Sequence, residues 1–194
     1  MKRVGVFGGT FDPPHVGHLI AAERAVEQAE LDHLLFVPTS VPPHKRDHEP
    51  EDGKHRLQML RRSVQGNPRL RVSDIELRRG GVSYTVDTLK QLTANLPGTE
   101  LAFIMGMDML ADFPTWRARD EILDLAEILV LTRPDFPLPK LEHKLRERVR
   151  ICRIPDVGVA SSEIRRRVKE GKSIRYMVIE EVEVYIVRHG LYLK

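Results

Sequence analysis

Residues 8 to 18 read Gly8-Gly9-Thr10-Phe11-Asp12-Pro13-Pro14-His15-Val16-Gly17-His18. The apolar run Val4-Gly5-Val6-Phe7 precedes them, and the helix-like run Leu19-Ile20-Ala21-Ala22 to Ala29 follows. A strand therefore passes into a helix through a glycine turn, with two histidines at the helix start. Residues three apart share a helix face, so His15 and His18 can address one object. Backbone N–H groups in a glycine turn and at a helix start favour anions, which makes a phosphate chain the natural object. Pro13 and Pro14 stiffen the approach to the pair.

Three readings of the pair stand side by side. Zinc ligands would need a third and fourth partner, and the spacing is not that of a His-Glu-x-x-His helix. Buried structural histidines sit awkwardly beside Gly8, Gly9 and Gly17, which open space for close backbone approach. Phosphate ligands suit the turn, the helix dipole and an exposed position together. The turn is neither a Walker loop nor a Gly-x-Gly-x-x-Gly dinucleotide fingerprint, so kinase-type and ordinary nicotinamide-redox chemistry lose their strongest signatures.

Outward from the turn, strand patterns recur at Arg3–Phe7, His33–Val37, Leu70–Val72, Leu101–Met105, Ile128–Leu131 and Val149–Ile154. Helical patterns fall between and after them, at Gly17–Ala29, Gly53–Gln65, Thr85–Asn95, Glu121–Leu125, Leu141–Arg148, Ser162–Glu170 and Ile179–Arg188. Ser73–Arg79 alternates and reads as a short extra strand. This rhythm predicts an α/β fold, a mostly parallel Rossmann-like sheet with helices on both faces. Ligands then bind beyond the carboxyl ends of the strands. With no repeat and no linker, residues 1–194 read as one domain. The stretch Pro38–Gly53 departs from the rhythm as a long polar loop on the ligand edge, carrying four prolines, His44, Lys45 and His48.

Composition narrows the classes. The chain has 194 residues, 41% hydrophobic and 30% charged, which is a globular rather than disordered balance. No apolar run approaches the roughly 20 residues of a membrane span, so no membrane partner is expected. The opening residues read as a strand, not a cleavable leader, and the expected location is cytoplasmic. The single cysteine, Cys152, suits a reducing compartment and reads as a small apolar filler. A net charge of +3 permits anionic ligands without calling for nucleic acid. The basic and apolar alternation from Arg146 to Arg153 reads as a solvated face, and no aromatic-basic interleaving supports a nucleic-acid partner. His48 and His55 read as solvent-facing.

Near the end, Ser161 and Ser162 precede a helical pattern. They read either as an ordinary cap with a solvated Arg165-Arg166-Arg167 face, or as an anion site in which Arg165 lies one turn along. Tyr84 and Trp116 offer aromatic faces, and Thr85 reads as a helix cap with Asp87 and Thr88 in the first turn. Trp116, the only tryptophan, reads equally as a core anchor for the Asp112–Asp120 loop.

These segments together resemble one family. Gly8 to His18 is similar to the His-x-Gly-His motif of nucleotidylyltransferases, in the form used by bacterial nicotinate-mononucleotide adenylyltransferases. The resemblance continues, in order, through Phe36-Val37-Pro38 to Pro42-Pro43-His44-Lys45, Ser83-Tyr84-Thr85-Val86-Asp87-Thr88-Leu89, and Ile104-Met105-Gly106-Met107-Asp108 to Trp116. It ends with Arg133-Pro134, Ala160-Ser161-Ser162-Glu163-Ile164-Arg165 and Ser173-Ile174-Arg175-Tyr176 to His189-Gly190-Leu191-Tyr192. It implies transfer of the adenylyl group of ATP to nicotinate mononucleotide, giving deamido-NAD and pyrophosphate, with Mg²⁺ arriving on ATP. By the same resemblance His15 and His18 are catalytic, and Gly8, Gly9, Thr10, Phe11, His44, Lys45, Ser161, Ser162 and Arg165 hold ATP. Tyr84, Thr85, Asp108, Trp116 and Arg133 hold the pyridine nucleotide, and the part from about residue 160 to 194 completes the ATP site. No protein side chains are implied as dedicated metal ligands. An adenylyltransferase preferring the amide mononucleotide or another phosphate acceptor, and a nucleotide sensor without turnover, are the alternatives. Whether the chain is a monomer or a homodimer stays open at this point.

Overall fold

The computed structural model describes residues 1–42, 49–132 and 143–193. His44, Lys45, His48 and Arg133 lie outside the described residues. Six parallel strands form one sheet: β1 (Lys2–Gly9), β2 (His33–Pro38), β3 (Leu70–Val72), β4 (Thr99–Gly106), β5 (Ala126–Leu131) and β6 (Val149–Cys152). Their order is β3-β2-β1-β4-β5-β6, every neighbouring pair parallel. The order reverses between β1 and β4, which places a crevice beyond the carboxyl ends of those two strands.

Side chains alternate across the strands and so feed two apolar layers. Val4, Val6, Leu101, Phe103, Met105, Ile128 and Val130 share one layer with Val86, Leu89 and Leu92 of α4 (Thr85–Asn95) and Ile122 of α6 (Arg119–Leu125). Phe7, Leu34, Phe36, Ala102, Ile104, Leu129 and Leu131 face the other way. There Ala21, Ala22 and Ala25 of α1 (Val16–Gln28) let the helix axis approach closely, and Leu60 of α2 (Gly53–Ser63) closes the layer. A third apolar cluster joins Met59 of α2 to Ile164 of α8 (Ser161–Lys169), Val182 and Ile186 of α9 (Glu180–His189), and Tyr192.

One expected strand is a helix. Residues of Ser73–Arg79 form α3 (Ile75–Arg79). The adjacent residues Ile75 and Glu76 are both buried, so the segment lacks the in-and-out pattern of a half-buried strand. The i,i+4 pair Asp74–Arg78, 3.0 Å apart, and the Arg78 N–H donated to the Asp74 carbonyl at 2.9 Å fit a helical turn instead. The segment after β4 carries a helix the periodicity did not signal, α5 (Met107–Asp112), which runs into a 3₁₀ turn at Phe113–Thr115. Between β5 and β6 the described residues hold only the single turn α7 (His143–Arg146). The basic face near β6 is partly used within the fold, because Arg148 donates to the Leu123 carbonyl and Arg150 to that of Gln28.

The βα turn after β1 is tied to distant parts of the chain through Asp12, which is 3% exposed. Its Oδ1 accepts from the Tyr192 hydroxyl at 2.8 Å, and Oδ2 lies 3.9 Å from Nη1 of Arg165. The same Arg165 nitrogen donates to the Asp12 carbonyl at 2.6 Å. Burial, reinforced by the neighbouring Asp12 carboxylate, pushes the Tyr192 hydroxyl far above its ordinary range, so it stays protonated and donates. Replacing Tyr192 by Phe removes a hydrogen bond to a buried carboxylate. The expected cost is about 1.5–3 kcal/mol of stability, read from urea denaturation; a change within about 0.5 kcal/mol would show that Tyr192 merely packs.

Candidate active site

The turn brings the two histidines together before any ligand is considered. His15 is the N-cap of α1 and His18 its third residue. Their rings stack with centroids 3.7 Å apart and planes 29° from parallel. The His15 backbone N–H donates to Nδ1 of His18 at 3.2 Å. An Nδ1 that accepts leaves the proton of the neutral ring on Nε2, so His18 carries one donor that the turn itself does not use. His18 also packs edge-on against Phe11 at 5.0 Å and Phe7 at 6.3 Å.

The pair is more enclosed than its sequence context predicts. His15 is 9% exposed, its Nδ1 buried without a hydrogen-bond partner among the described residues, and His18 is half-buried. The physical reason lies in the glycines, whose open space the protein fills with its own rings. A Cβ at Gly17 would stand 3.0 Å from the His15 ring, and one at Gly9 only 2.8 Å from the Phe11 ring. Phe11 itself takes a left-handed conformation, φ +51°, to place that ring. Burial lowers the pKa of His15 to about 4. Burial, with the neighbouring His15, pushes His18 in the same direction. Both imidazoles are therefore neutral at pH 7 and act as hydrogen-bonding groups rather than fixed charges.

Beside the turn, at the mouth between β1 and β4, lies a cavity of about 420 Å³. Gly8 and Gly9 form part of its wall, Val6 and Phe103 its apolar base, and Tyr84, Thr85 and Trp116 a further side. Trp116 is half-buried, edge-on to Phe113 at 5.4 Å and to Phe103 at 6.0 Å, so it both anchors its loop and borders the cavity. Tyr84 and Thr85 begin α4, whose N-cap Tyr84 gives no side-chain cap. Arg117 stacks over the Tyr84 ring at 4.5 Å. Asp108 is exposed in the first turn of α5, beyond the end of β4. The start of the long polar loop is held by the Ser40 N–H donating to the Ser83 hydroxyl at 3.0 Å, and by the Ser83 N–H donating to the Val41 carbonyl at 2.9 Å. A larger hollow of about 560 Å³ sits at the opposite, amino edge of the sheet, between Thr99 and Arg150. Two of its walls, Glu100 and Glu127, pair with Arg3, and it lies away from both histidines.

The third group of candidates sits at α8. Its N-cap is Ala160 rather than either serine, so no side chain caps the helix start. Ser161 instead donates its hydroxyl to the Pro13 carbonyl at 2.8 Å, and Ser162 is exposed. With the Arg165 bonds to Asp12, this seats α8 directly against the histidine turn. Glu163 is held by Arg166 through two bonds of 2.7 and 2.9 Å, which answers its charge locally. Several site-building residues escaped the sequence reading. Asp12 and Tyr192 form the tie described above, and Arg56, only 2% exposed, donates to the carbonyls of Thr10 and Glu51, both at 2.8 Å. Thr10 is buried with its hydroxyl unpaired among the described residues. His55 is not solvent-facing: α9 packs on α2, and Nδ1 of His55 lies 3.0 Å from the Tyr185 hydroxyl.

Residues 6–167 match the family model described as cytidylyltransferase-like. The chain belongs to the cytidylyltransferase-like family. Relatives of this cytidylyltransferase-like chain include proteins named "probable nicotinate-nucleotide adenylyltransferase". The one from Thermomicrobium roseum is 45% identical over 197 residues, covering 99% of this chain and 92% of the relative. One from Thermus thermophilus is 44% identical over 190 residues, covering 98% and 99%. Among solved structures, nicotinic acid mononucleotide adenylyltransferase of Plasmodium falciparum complexed with NaAD superposes with a TM-score of 0.79. At 18% identity, covering 99% of this chain and 98% of that one, it shows the shared fold.

The neutral state of His15 has a measurable consequence. Its folded pKa, about 4, lies below the ordinary 6.5, so below pH 6.5 the unfolded chain takes up a proton that the folded one refuses. Stability from this group is full above pH 6.5 and falls as the pH drops toward 4, by roughly 3 kcal/mol. A His15→Asn variant, which keeps a good N-cap, is expected to lose correspondingly less stability between pH 7 and pH 4. Parallel urea-denaturation losses for the two proteins would contradict this.

Proposed function

We propose that this chain transfers the adenylyl group of ATP to nicotinate mononucleotide, releasing pyrophosphate and forming nicotinate adenine dinucleotide in NAD biosynthesis. One observation carries the reading: the stacked imidazole pair stands at the end of β1, whose Gly8 and Gly9 also wall the aromatic-lined cavity. Two anionic nucleotides could thus meet across one glycine turn. The names of the relatives supply the acceptor.

In the proposed reaction an oxygen of the mononucleotide phosphate attacks the α-phosphorus of ATP. A new P–O bond forms there as the bond to the β-phosphate oxygen breaks, and pyrophosphate leaves with that electron pair. No side chain is made covalent. Catalysis is positioning and stabilisation of the developing charge. His18 donates from Nε2 to a phosphate oxygen beside the positive end of α1. His15, Thr10, Phe11 and the Gly8-Gly9 backbone shape the triphosphate side. The uncapped start of α8, with Ser161, Ser162 and Arg165, lies toward the pyrophosphate end. His44 and Lys45 are assigned to phosphate oxygens and Arg133 to the pyridine nucleotide by resemblance alone.

The pyridine ring is assigned to the cavity against Trp116, its carboxylate to the backbone N–H groups at the start of α4 around Tyr84 and Thr85, and Asp108 to the same nucleotide. Mg²⁺ is read as arriving on ATP, its ligands phosphate oxygens and water. Asp12, the carboxylate of the turn, fits that view, being engaged by Tyr192 and Arg165. Among the described residues no helix is long and apolar enough to cross a membrane. A cytoplasmic setting, ATP and nicotinate mononucleotide as partners with neither nucleic acid nor membrane, and a one-domain chain whose residues from about 160 to 194 complete the ATP site belong to the same proposal.

A pyrophosphate-release assay with ATP tests the reading directly. Nicotinate mononucleotide is expected to support turnover well above its amide counterpart. A folded His18→Ala protein should lose about 10²–10³ in rate, as typical for one well-placed donor. Unchanged turnover would remove His18 from the chemistry. Trp116→Ala is expected to raise KM for the mononucleotide about 10-fold or more while leaving that for ATP within about 2-fold. Equal changes in both would make Trp116 purely structural.

A further inference from the structure

The cavity contains an acidic group that the scheme above leaves unused. Glu76 of α3 is 6% exposed and forms part of the cavity wall. Its Oε1 accepts from the Thr88 hydroxyl at 2.6 Å, and that hydroxyl in turn accepts from Nη2 of Arg79 at 2.9 Å. Thr88 has one proton and two acceptors in reach, Glu76 at 2.6 Å and the Tyr84 carbonyl at 3.4 Å, and the nearer Glu76 takes it. Oε2 of Glu76, by contrast, is buried with no partner among the described residues. A buried oxygen left unpaired costs stability, and one on a cavity wall is paired when a ligand brings a donor.

Resting on the function proposed above, the chemistry of the acceptor identifies that donor. Nicotinate mononucleotide at neutral pH presents a carboxylate, a phosphate and a quaternary ring nitrogen, none of which carries an N–H. Its phosphate must face ATP, and its carboxylate would be repelled by Glu76. Only the 2′- and 3′-hydroxyls of the ribose remain as donors. We infer that Glu76 is a ribose-binding residue of the acceptor site, its Oε2 accepting a hydrogen bond from one of these two hydroxyls. The Thr88–Arg79 relay fixes the carboxylate for this contact. Its charge also favours the pyridinium over an uncharged ring and turns the nicotinate carboxylate toward the start of α4.

The test pairs an enzyme change with a substrate change. Wild type and Glu76→Gln are assayed by pyrophosphate release with ATP and nicotinate mononucleotide, its 2′-deoxy form and its 3′-deoxy form. In wild type one of the deoxy forms should lose roughly 10- to 100-fold in kcat/KM, the range for a hydrogen bond to a charged group. Glu76→Gln should raise KM for the parent mononucleotide by a similar factor, leave KM for ATP unchanged, and lose less than about 3-fold further with that deoxy form. Independent, multiplying losses would overturn the assignment. So would a wild type that uses both deoxy forms as well as the parent, an arm that decides even if the variant fails to fold. A wild type inert toward the parent itself overturns the adenylyl-transfer reading, a result distinct from failure at the ribose.

Discussion

The buried carboxylate of Asp12 is the constraint on which the rest of the molecule depends. A carboxylate out of water needs donors and a counter-charge: Tyr192, 180 residues further on, and the Glu51 N–H donate to it, and Arg165 stands beside it as the cation. In satisfying Asp12 the fold draws α8 and the segment after α9 against the first βα turn. The same turn seats His15 in the space left by Gly17 and Phe11 in that left by Gly9. One charge, placed early in the chain, thus sets the relation between the histidine pair and the helix start at Ala160.

Enclosure gives the imidazole pair its character. Two charged rings stacked at 3.7 Å would repel each other, and burial resolves this by holding both neutral. The backbone bond into Nδ1 of His18 then fixes which nitrogen bears the proton. A neutral donor held by the backbone needs no reorganisation when an anion arrives, which is the property that stabilises developing charge.

Much of the fold was legible because each strand of a covered parallel sheet is apolar on both faces and each helix shows one apolar stripe. The strand ends at Phe7, Val37 and Val72 were therefore readable to within two residues. The α3 segment misled because Ile75, Leu77 and the charges between them alternate over too few residues to separate the two periods. Glu76 was read there as a polar residue of a strand and is instead a buried wall of the cavity. At the candidate site the motif residues were visible as types and spacings, whereas their exposure was not. Nothing local in Gly8 to Gly17 says that the glycine space will be filled by Phe11 and His15. Asp12, Arg56 and Tyr192 were missed for a related reason: their partners are distant in sequence, and a lone buried charge has no periodic signature.

The tie between residues 12 and 192 also bears on how the protein comes into being. Translation delivers the glycine turn 180 residues ahead of Tyr192, so the hydroxyl bonded to Asp12 emerges only after the sheet and α9. Until then the turn holds a buried acid short of one donor. The nascent chain can therefore pair its six strands before the turn after β1 is secured by Tyr192.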